Sequence, residues 1–409
     1  MYFNRKLKSN NFICVAGKNS IAVSGLNYII SKYKTKYQIL ALGDVNDNEE
    51  DLWQPSFIKF AKEKNVPVVK LEDLYEIKNL CFISLEYFKL IDIKKFKTTK
   101  LFNIHFSLLP FYRGMYTSAH PILSGEKKTG CTFHKIDSGI DTGAIISQIE
   151  FEIQKTDNCK DVYSKYLKYG RELSLQTLDS IIEEKYETRK SLNEGSYYSK
   201  KSIDYNNLKI DFCQKSINIS RQIRAYTFRD YQLPKIKGFK IFGHKILKSK
   251  SKYQPGKVIL HSGNSITIST LDYDLLVYID IFDKLLNAVI NNDIELIQNL
   301  NSKNPFMLNE KNHKGWSPLI ISAYNGYNKS TKSLLELGAD PNITNSKGTS
   351  PLMYAKDYSI KTGDFYSFEL LIRFGAKKNN KDIFNKTIFD YLDIKSKYHH
   401  KLIEILNKN

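Results

Sequence analysis

Asn103-Ile104-His105-Phe106-Ser107-Leu108-Leu109-Pro110, followed downstream by His134-Lys135-Ile136-Asp137-Ser138-Gly139-Ile140-Asp141-Thr142-Gly143, holds the most chemistry per residue in this chain. Residues 101–106 have strand character, and side chains two apart on a strand leave the same face. Asn103 therefore sets a neutral amide donor beside the imidazole of His105. Gly139 and Gly143 mark a tight turn that carries the carboxylates of Asp137 and Asp141. An amide, a base and carboxylates around such turns suit acyl transfer to an amine.

Outward from this stretch, residues 12–16, 39–42, 66–71, 80–84 and 101–106 read as strands, with helical patterns near 19–33 and 56–64. Runs at 131–136 and 144–151 flank the turn, and 160–185 reads as a long helix. This alternation predicts an α/β domain with a Rossmann-like parallel sheet whose active residues lie at strand ends. From about 196 the texture changes to short strands at 238–248, 257–261, 265–271 and 275–281, a small β-rich subdomain. Farther on, Gly315-Trp316-Ser317-Pro318-Leu319 recurs after 33 residues as Gly348-Thr349-Ser350-Pro351-Leu352. Each copy is followed by an Ala and then by Gly-Ala, at 338–339 and 375–376. The pattern resembles the ankyrin repeat, with 285–300 as a degenerate leading unit and 387–406 as a trailing cap. Trp316, Tyr324 and Tyr327 are candidates for its concave face or for packing. The expected domains are 1–198 (catalytic), 199–282 (β-rich, for substrate contact and dimerisation) and 283–409 (all-α ankyrin).

At 409 residues the chain is too long for one ordinary core, and 42% hydrophobic with 26% charged residues is a globular composition. No run reaches the length of a membrane helix, and Met1-Tyr2-Phe3-Asn4-Arg5-Lys6 with the short run at 12–17 makes no secretory signal, so a cytoplasmic location is expected. The five cysteines are scattered and read as buried reduced thiols. A net charge of +19 suits attraction of a small anion. With only 8 Arg among 62 basic residues and Lys spread throughout, it does not form a phosphate track, and nucleic acid is not the expected partner.

Acyl transfer to an amine needs a base, a donor for the developing oxyanion and a route for the proton. An imidazole, with an ordinary pKa of about 6.5, makes His105 the natural base. The Asn103 amide can donate to the oxyanion, and Asp141 can hold the imidazolium. No metal is required. His134 has no second ligand at metal spacing and reads as loop support.

Asn103, His105, Ser107-Leu108-Leu109-Pro110 and Arg113-Gly114, with residues 134–143, resemble the two motifs of the folate-dependent formyltransferase family. The resemblance covers roughly residues 10–200. It implies Asn103, His105 and Asp141 as the catalytic trio and N10-formyltetrahydrofolate as cosubstrate. The cosubstrate's pteridine would lie near Ser84, Tyr87, Phe88 and Leu90 and along the turn at Ile136, Asp137 and Asp141. Family members that act on nucleotide-linked sugars fit the chain best. The resemblance places Lys18, Asn19 and Arg113 at the substrate, Arg224 on a phosphate and Tyr226 or Phe228 against a pyrimidine ring. Met115 stands where some uridine-sugar relatives carry a basic residue, which favours thymidine. The expected acceptor is a dTDP-linked amino-deoxysugar, dTDP-3-amino-3,6-dideoxyglucose, in O-antigen and lipopolysaccharide synthesis. The rivals are the 4-amino isomer, the methionyl-tRNA formyltransferases and, from another class, an ankyrin interaction module. Family analogy implies a homodimer. The ankyrin array is a candidate surface for a protein or a small molecule.

Overall fold

The computed structural model describes residues 10–190 and 194–407. The stretch 1–9, read above for a secretory signal, lies outside them. Among the described residues no helix is long and apolar enough to cross a membrane.

Two compact units divide the chain; the first takes in residues up to Asp51, Pro55–Leu208 and Arg224–Phe228. Its sheet is built from β1 (Phe12–Gly17), β2 (Gln38–Gly43), β3 (Leu80–Leu85), β4 (Leu101–His105), β6 (Lys128–Lys135) and β7 (Ile145–Glu152), while β5 (Arg113–Gly114) and β8 (Tyr197–Tyr198) pair separately. The order is β2-β1-β3-β4-β6-β7; the first four strands run parallel, and β6 and β7 add antiparallel. The sheet is thus mixed where a parallel one was expected. Alternate residues of the parallel strands, Cys14 with Ala16, Leu40 with Leu42 and Leu80 with Phe82, share one buried core. The first unit's main helices are α1 (Asn19–Tyr33), α2 (Phe57–Glu63), α3 (His120–Ser124) and α4 (Cys159–Ile182). Asn158 caps α4 by accepting from the N–H groups of Lys160 and Asp161, and Asp161 returns a carboxylate to the Asn158 N–H. The strand expected at 66–71 is reduced to a single bridge between Ala41 and Val68. Pro67 offers a carbonyl to the Ala41 N–H but has no N–H of its own, and the chain passes into a 3₁₀ turn at Leu71–Leu74.

The second unit holds Leu52–Gln54, Lys209–Ile223 and everything from Arg229 onward, so the β-rich stretch and the repeats share one unit. After α5 (Ser216–Tyr226), which contributes to both units, come β9 (Lys235–Ile236), β10 (Phe239–Lys250), β11 (Val258–His261), β12 (Ser265–Ile268) and β13 (Tyr273–Ile279), in the order β11-β12-β13-β10-β9. Helices α6 (Phe282–Ile290), α7 (Ile294–Lys303), α8 (Pro318–Asn325), α9 (Asn328–Glu336), α10 (Pro351–Thr362), α11 (Tyr366–Arg373) and α12 (His399–Asn407) follow. The repeated Ser-Pro explains the repeated helix starts. Ser317 and Ser350 accept from the N–H groups of Ile320 and Met353, and Pro318 and Pro351 occupy the first helical position, which needs no N–H. The rings of Trp316, Tyr324 and Tyr354 meet at 5.0 to 5.6 Å, and Tyr324 is exposed. Four of the cysteines are buried as expected; Cys213 is exposed.

Phe242 of β10 and Phe282 of α6 belong to the same apolar core. Between them lies the guanidinium of Arg229, 4.7 and 4.6 Å from the two ring centroids, with both terminal nitrogens on Asp280 at 2.8 Å. Replacing Arg229 with Ala would leave Asp280 and the buried Glu310 without this cation. The expected cost is about 3–5 kcal/mol, read by denaturant unfolding followed through the tryptophans.

Candidate active site

The strand order reverses at β1, which opens a crevice beyond the carboxyl ends of β1 and β3. Next to it, register places Ser84 of β3 opposite Asn103 of β4 and Asn103 opposite His134 of β6. The Nδ1–H of His134 donates to the Lys135 carbonyl at 2.8 Å, so Nε2 is the bare nitrogen that accepts from the Asn103 amide at 3.1 Å. Burial pushes the His134 imidazole down to about 4, which keeps it neutral and an acceptor at physiological pH. One hydrogen of the Asn103 amide is thereby fixed, and the other is aimed by it.

His105 is buried at the end of β4, and its Nε2 lies 2.9 Å from the Tyr112 carbonyl. A carbonyl only accepts, so Nε2 carries a hydrogen, and in the neutral ring Nδ1 has the lone pair. That Nδ1 faces Asp141 Oδ2 at 3.4 Å. The same Oδ2 accepts from the Gly114 N–H at 2.9 Å, and Oδ1 lies 3.7 Å from His134 Nε2. Asp141 adopts φ 53°, a left-handed conformation that the preceding turn holds in place. Asp137 closes that turn: its Oδ1 accepts from the Gly139 N–H and the Thr142 hydroxyl at 3.1 and 2.6 Å. Its Oδ1 thus serves the turn. Gly143 is obligatory, because a Cβ there would lie 1.7 Å from the Lys135 carbonyl oxygen. Chemically the group offers a bare imidazole nitrogen, an aimed amide donor and a carboxylate able to hold an imidazolium.

The remaining expected residues divide. Ser84 is buried within β3; beyond the strand, Tyr87 is half-buried and Phe88 and Leu90 are exposed; Ile136 donates its N–H to the Leu101 carbonyl. Lys18 lies 3.8 Å from the carboxylate of Glu86. Asn19, expected at a pyrophosphate, is buried instead: its Nδ2 donates to Glu86 and to the Tyr163 hydroxyl, and its Oδ1 accepts from the Ile21 N–H. Arg113 donates to the Glu194 carbonyl at 3.1 Å, and Arg224 to the Asp157 carbonyl at 2.8 Å. Tyr226 is half-buried, whereas Phe228, expected against a pyrimidine, packs at 5.6 Å on the Tyr163 ring inside the core.

Sequence reasoning missed Glu86, Tyr163 and the aiming role of His134. The Tyr163 hydroxyl donates to Glu86 at 2.5 Å, and burial raises the Glu86 carboxyl above the usual range. His134 opens the second motif, so its signal was available; Tyr163 sits in the long helix expected at 160–185, with no motif around it to mark its hydroxyl.

The family description "Formyl transferase" matches residues 81–178, "Formyl transferase, C-terminal domain" matches 202–281, and "Ankyrin repeats (3 copies)" matches 285–382. A methionyl-tRNA formyltransferase of Clostridium tetani (strain Massachusetts / E88) is 30% identical over 195 residues, 46% of this chain and 60% of that one. This chain therefore spans less than two thirds of that relative's length. The solved structure of WlaRD, a sugar 3N-formyl transferase in the presence of dTDP and 5-N-formyl-THF, is 39% identical, covers 66% of this chain and 97% of its own, and has a TM-score of 0.61. The N-formyltransferase of Helicobacter canadensis, in complex with folinic acid and dTDP-3-aminofucose, is 38% identical over 66% of this chain and 100% of its own, again at 0.61. Matched along nearly the whole of two such structures, with the Asn103, His105 and Asp141 motifs in place, the chain belongs to the formyl transferase family and carries ankyrin repeats behind its transferase domains.

Proposed function

We propose that this protein is a sugar N-formyltransferase that moves the formyl group of N10-formyltetrahydrofolate to the amine of dTDP-3-amino-3,6-dideoxyglucose, in O-antigen synthesis. The observation that carries the reading is the convergence of the aimed Asn103 amide, His105 Nδ1 and Asp141 in a chain similar over 66% of its length to two such enzymes. Those two relatives act on or bind 3-amino sugar chemistry with dTDP, which supports a thymidine nucleotide and the 3-amino position. Exposed Phe88 and Leu90 beyond β3 fit a flat heteroaromatic ring.

The formyl donor supplies an activated carbonyl carbon and a nitrogen leaving group. His105 Nδ1 takes the proton that the acceptor amine sheds as its nitrogen bonds to that carbon. Asn103 donates to the carbonyl oxygen as it gains charge, and Asp141 faces the imidazolium. The imidazolium then returns a proton to the departing nitrogen as the old carbon–nitrogen bond breaks.

The methionyl-tRNA reading is favoured by the Clostridium tetani similarity and by the net charge of +19. Consumption of N10-formyltetrahydrofolate, measured against dTDP-3-amino, dTDP-4-amino and UDP-4-amino sugars and charged initiator tRNA, separates the two. Turnover with the dTDP-3-amino sugars is expected, with the glucose and fucose isomers compared; turnover only with tRNA overturns the proposal.

A further inference from the structure

The catalytic groups are held from behind by residues 194–198, at the end of the expected catalytic domain. Residues 194–198 fall between the two formyl transferase matches, which end at 178 and begin again at 202. The Ser196 hydroxyl accepts from the Tyr112 N–H at 2.8 Å, the Ser196 carbonyl accepts from the Arg113 N–H at 2.9 Å, and the Tyr198 carbonyl accepts from the Met115 N–H at 2.8 Å. The Ser196 N–H donates to the Pro110 carbonyl at 3.2 Å, and the Tyr112 and Tyr198 rings stack at 5.7 Å.

This grip bears on a strained segment. Tyr112, Gly114 and Tyr116 all have positive φ, at 58°, 89° and 59°. For the two tyrosines that conformation persists only when the surroundings over-determine it. The strap supplies the surroundings, and two glycines let it approach. A Cβ on Gly114 would lie 2.3 Å from the Tyr198 carbonyl oxygen, and one on Gly195 would lie 2.0 Å from that of Pro110. With the N–H groups of residues 112, 113 and 115 taken by the strap, the segment presents two groups forward. The Tyr112 carbonyl meets His105 Nε2, and the Gly114 N–H meets Asp141.

We propose that residues 194–198 are a positioning element of the catalytic centre, which fixes His105 with its hydrogen on Nε2 and so makes Nδ1 the proton-accepting atom. The inference rests on the reading of His105 as the base of formyl transfer. Ser196 is a positioning residue: it acts through Tyr112 and touches no reactant.

The test compares the full-length protein with Ser196→Ala, Ser196→Thr and Gly195→Ala. Each is measured for kcat, for KM of both substrates, for melting temperature and for the His105 tautomer by ¹⁵N NMR of histidine-labelled protein, with the His105 signal identified by its loss in His105→Asn. Ser196→Ala is expected to lower kcat about tenfold, with both KM values within about twofold and the melting temperature unchanged, while His105 populates the Nδ1–H tautomer. Ser196→Thr, which keeps the acceptor oxygen, restores both. Gly195→Ala, which lifts the strap from Pro110, reproduces the loss more strongly. A change in rate without a change in tautomer, or the reverse, overturns the proposal, as does an Nδ1–H tautomer in the unaltered protein. If no amine is formylated, the failure belongs to the functional reading, and the tautomer comparison alone decides the role of the strap.

Discussion

Replacing His105 with Asn is expected to lower kcat by roughly 10²–10⁴-fold, with the KM for both substrates little changed. The substitution isolates basicity from architecture. An Asn amide sits at the level of Nδ1 and falls short of the Tyr112 carbonyl, which now takes the hydrogen of His105 Nε2 at 2.9 Å, but the end of β4 stays anchored through its ladder with β6, where residue 105 pairs with Thr132. What disappears is the only nitrogen of the pair able to take a proton, the Nδ1 that faces Asp141 at 3.4 Å. Because Asp141 also accepts from the Gly114 N–H, its carboxylate does not lose its last partner when the imidazole goes. The fold should therefore survive, as a melting curve would show, while steady-state turnover collapses. Near-normal turnover in His105→Asn would remove the proposed base, since among the described residues no second imidazole lies against that carboxylate's Oδ2. His134 offers its Nε2 to the amide of Asn103 instead.

The parts of this site that were legible in the sequence are those whose geometry is local. Asn103 and His105 sit two apart on one strand, and Asp141 sits in a turn whose glycines are fixed by steric limits, such as the 1.7 Å approach at Gly143. Strand periodicity and turn chemistry suffice for these. What escaped was set by contacts distant in the chain. The resemblance placed Asn19 at the substrate, yet Glu86 and Tyr163, 67 and 144 residues away, claim its amide. Phe228 looked like a stacking face and is buried on that same Tyr163. The expected boundary near 283 falls between the family matches that end at 281 and begin at 285, and across it Phe242 and Phe282 close on Arg229 and share one core, a contact that the change from strand to helix periodicity does not report. Period reports the type of element; it does not report which elements share a core.

Removing the oxyanion donor is the second large effect: Asn103→Ala is expected to lower kcat by roughly 10²–10³-fold. Its size depends on His134, and that dependence can be measured. An Asn amide on a strand end can rotate, presenting its oxygen or its nitrogen forward. Here the rotation is decided by His134, whose Nδ1–H is committed to the Lys135 carbonyl and whose bare Nε2 accepts only from an N–H. Because burial holds that imidazole down to about 4, it stays an acceptor across the neutral range. His134→Phe, which fills the buried site but accepts nothing, should free the amide and lower kcat about tenfold, with KM little changed. In an Asn103→Ala background the same change should cost almost nothing, since no donor is left to aim. Strong non-additivity in this double-mutant cycle assigns His134 a role exercised through Asn103. Additive losses would mean that His134 acts on the reaction by a route of its own, through Asp141 Oδ1 at 3.7 Å. The size of the coupling thus distinguishes an aimed donor from a second, independent electrostatic group.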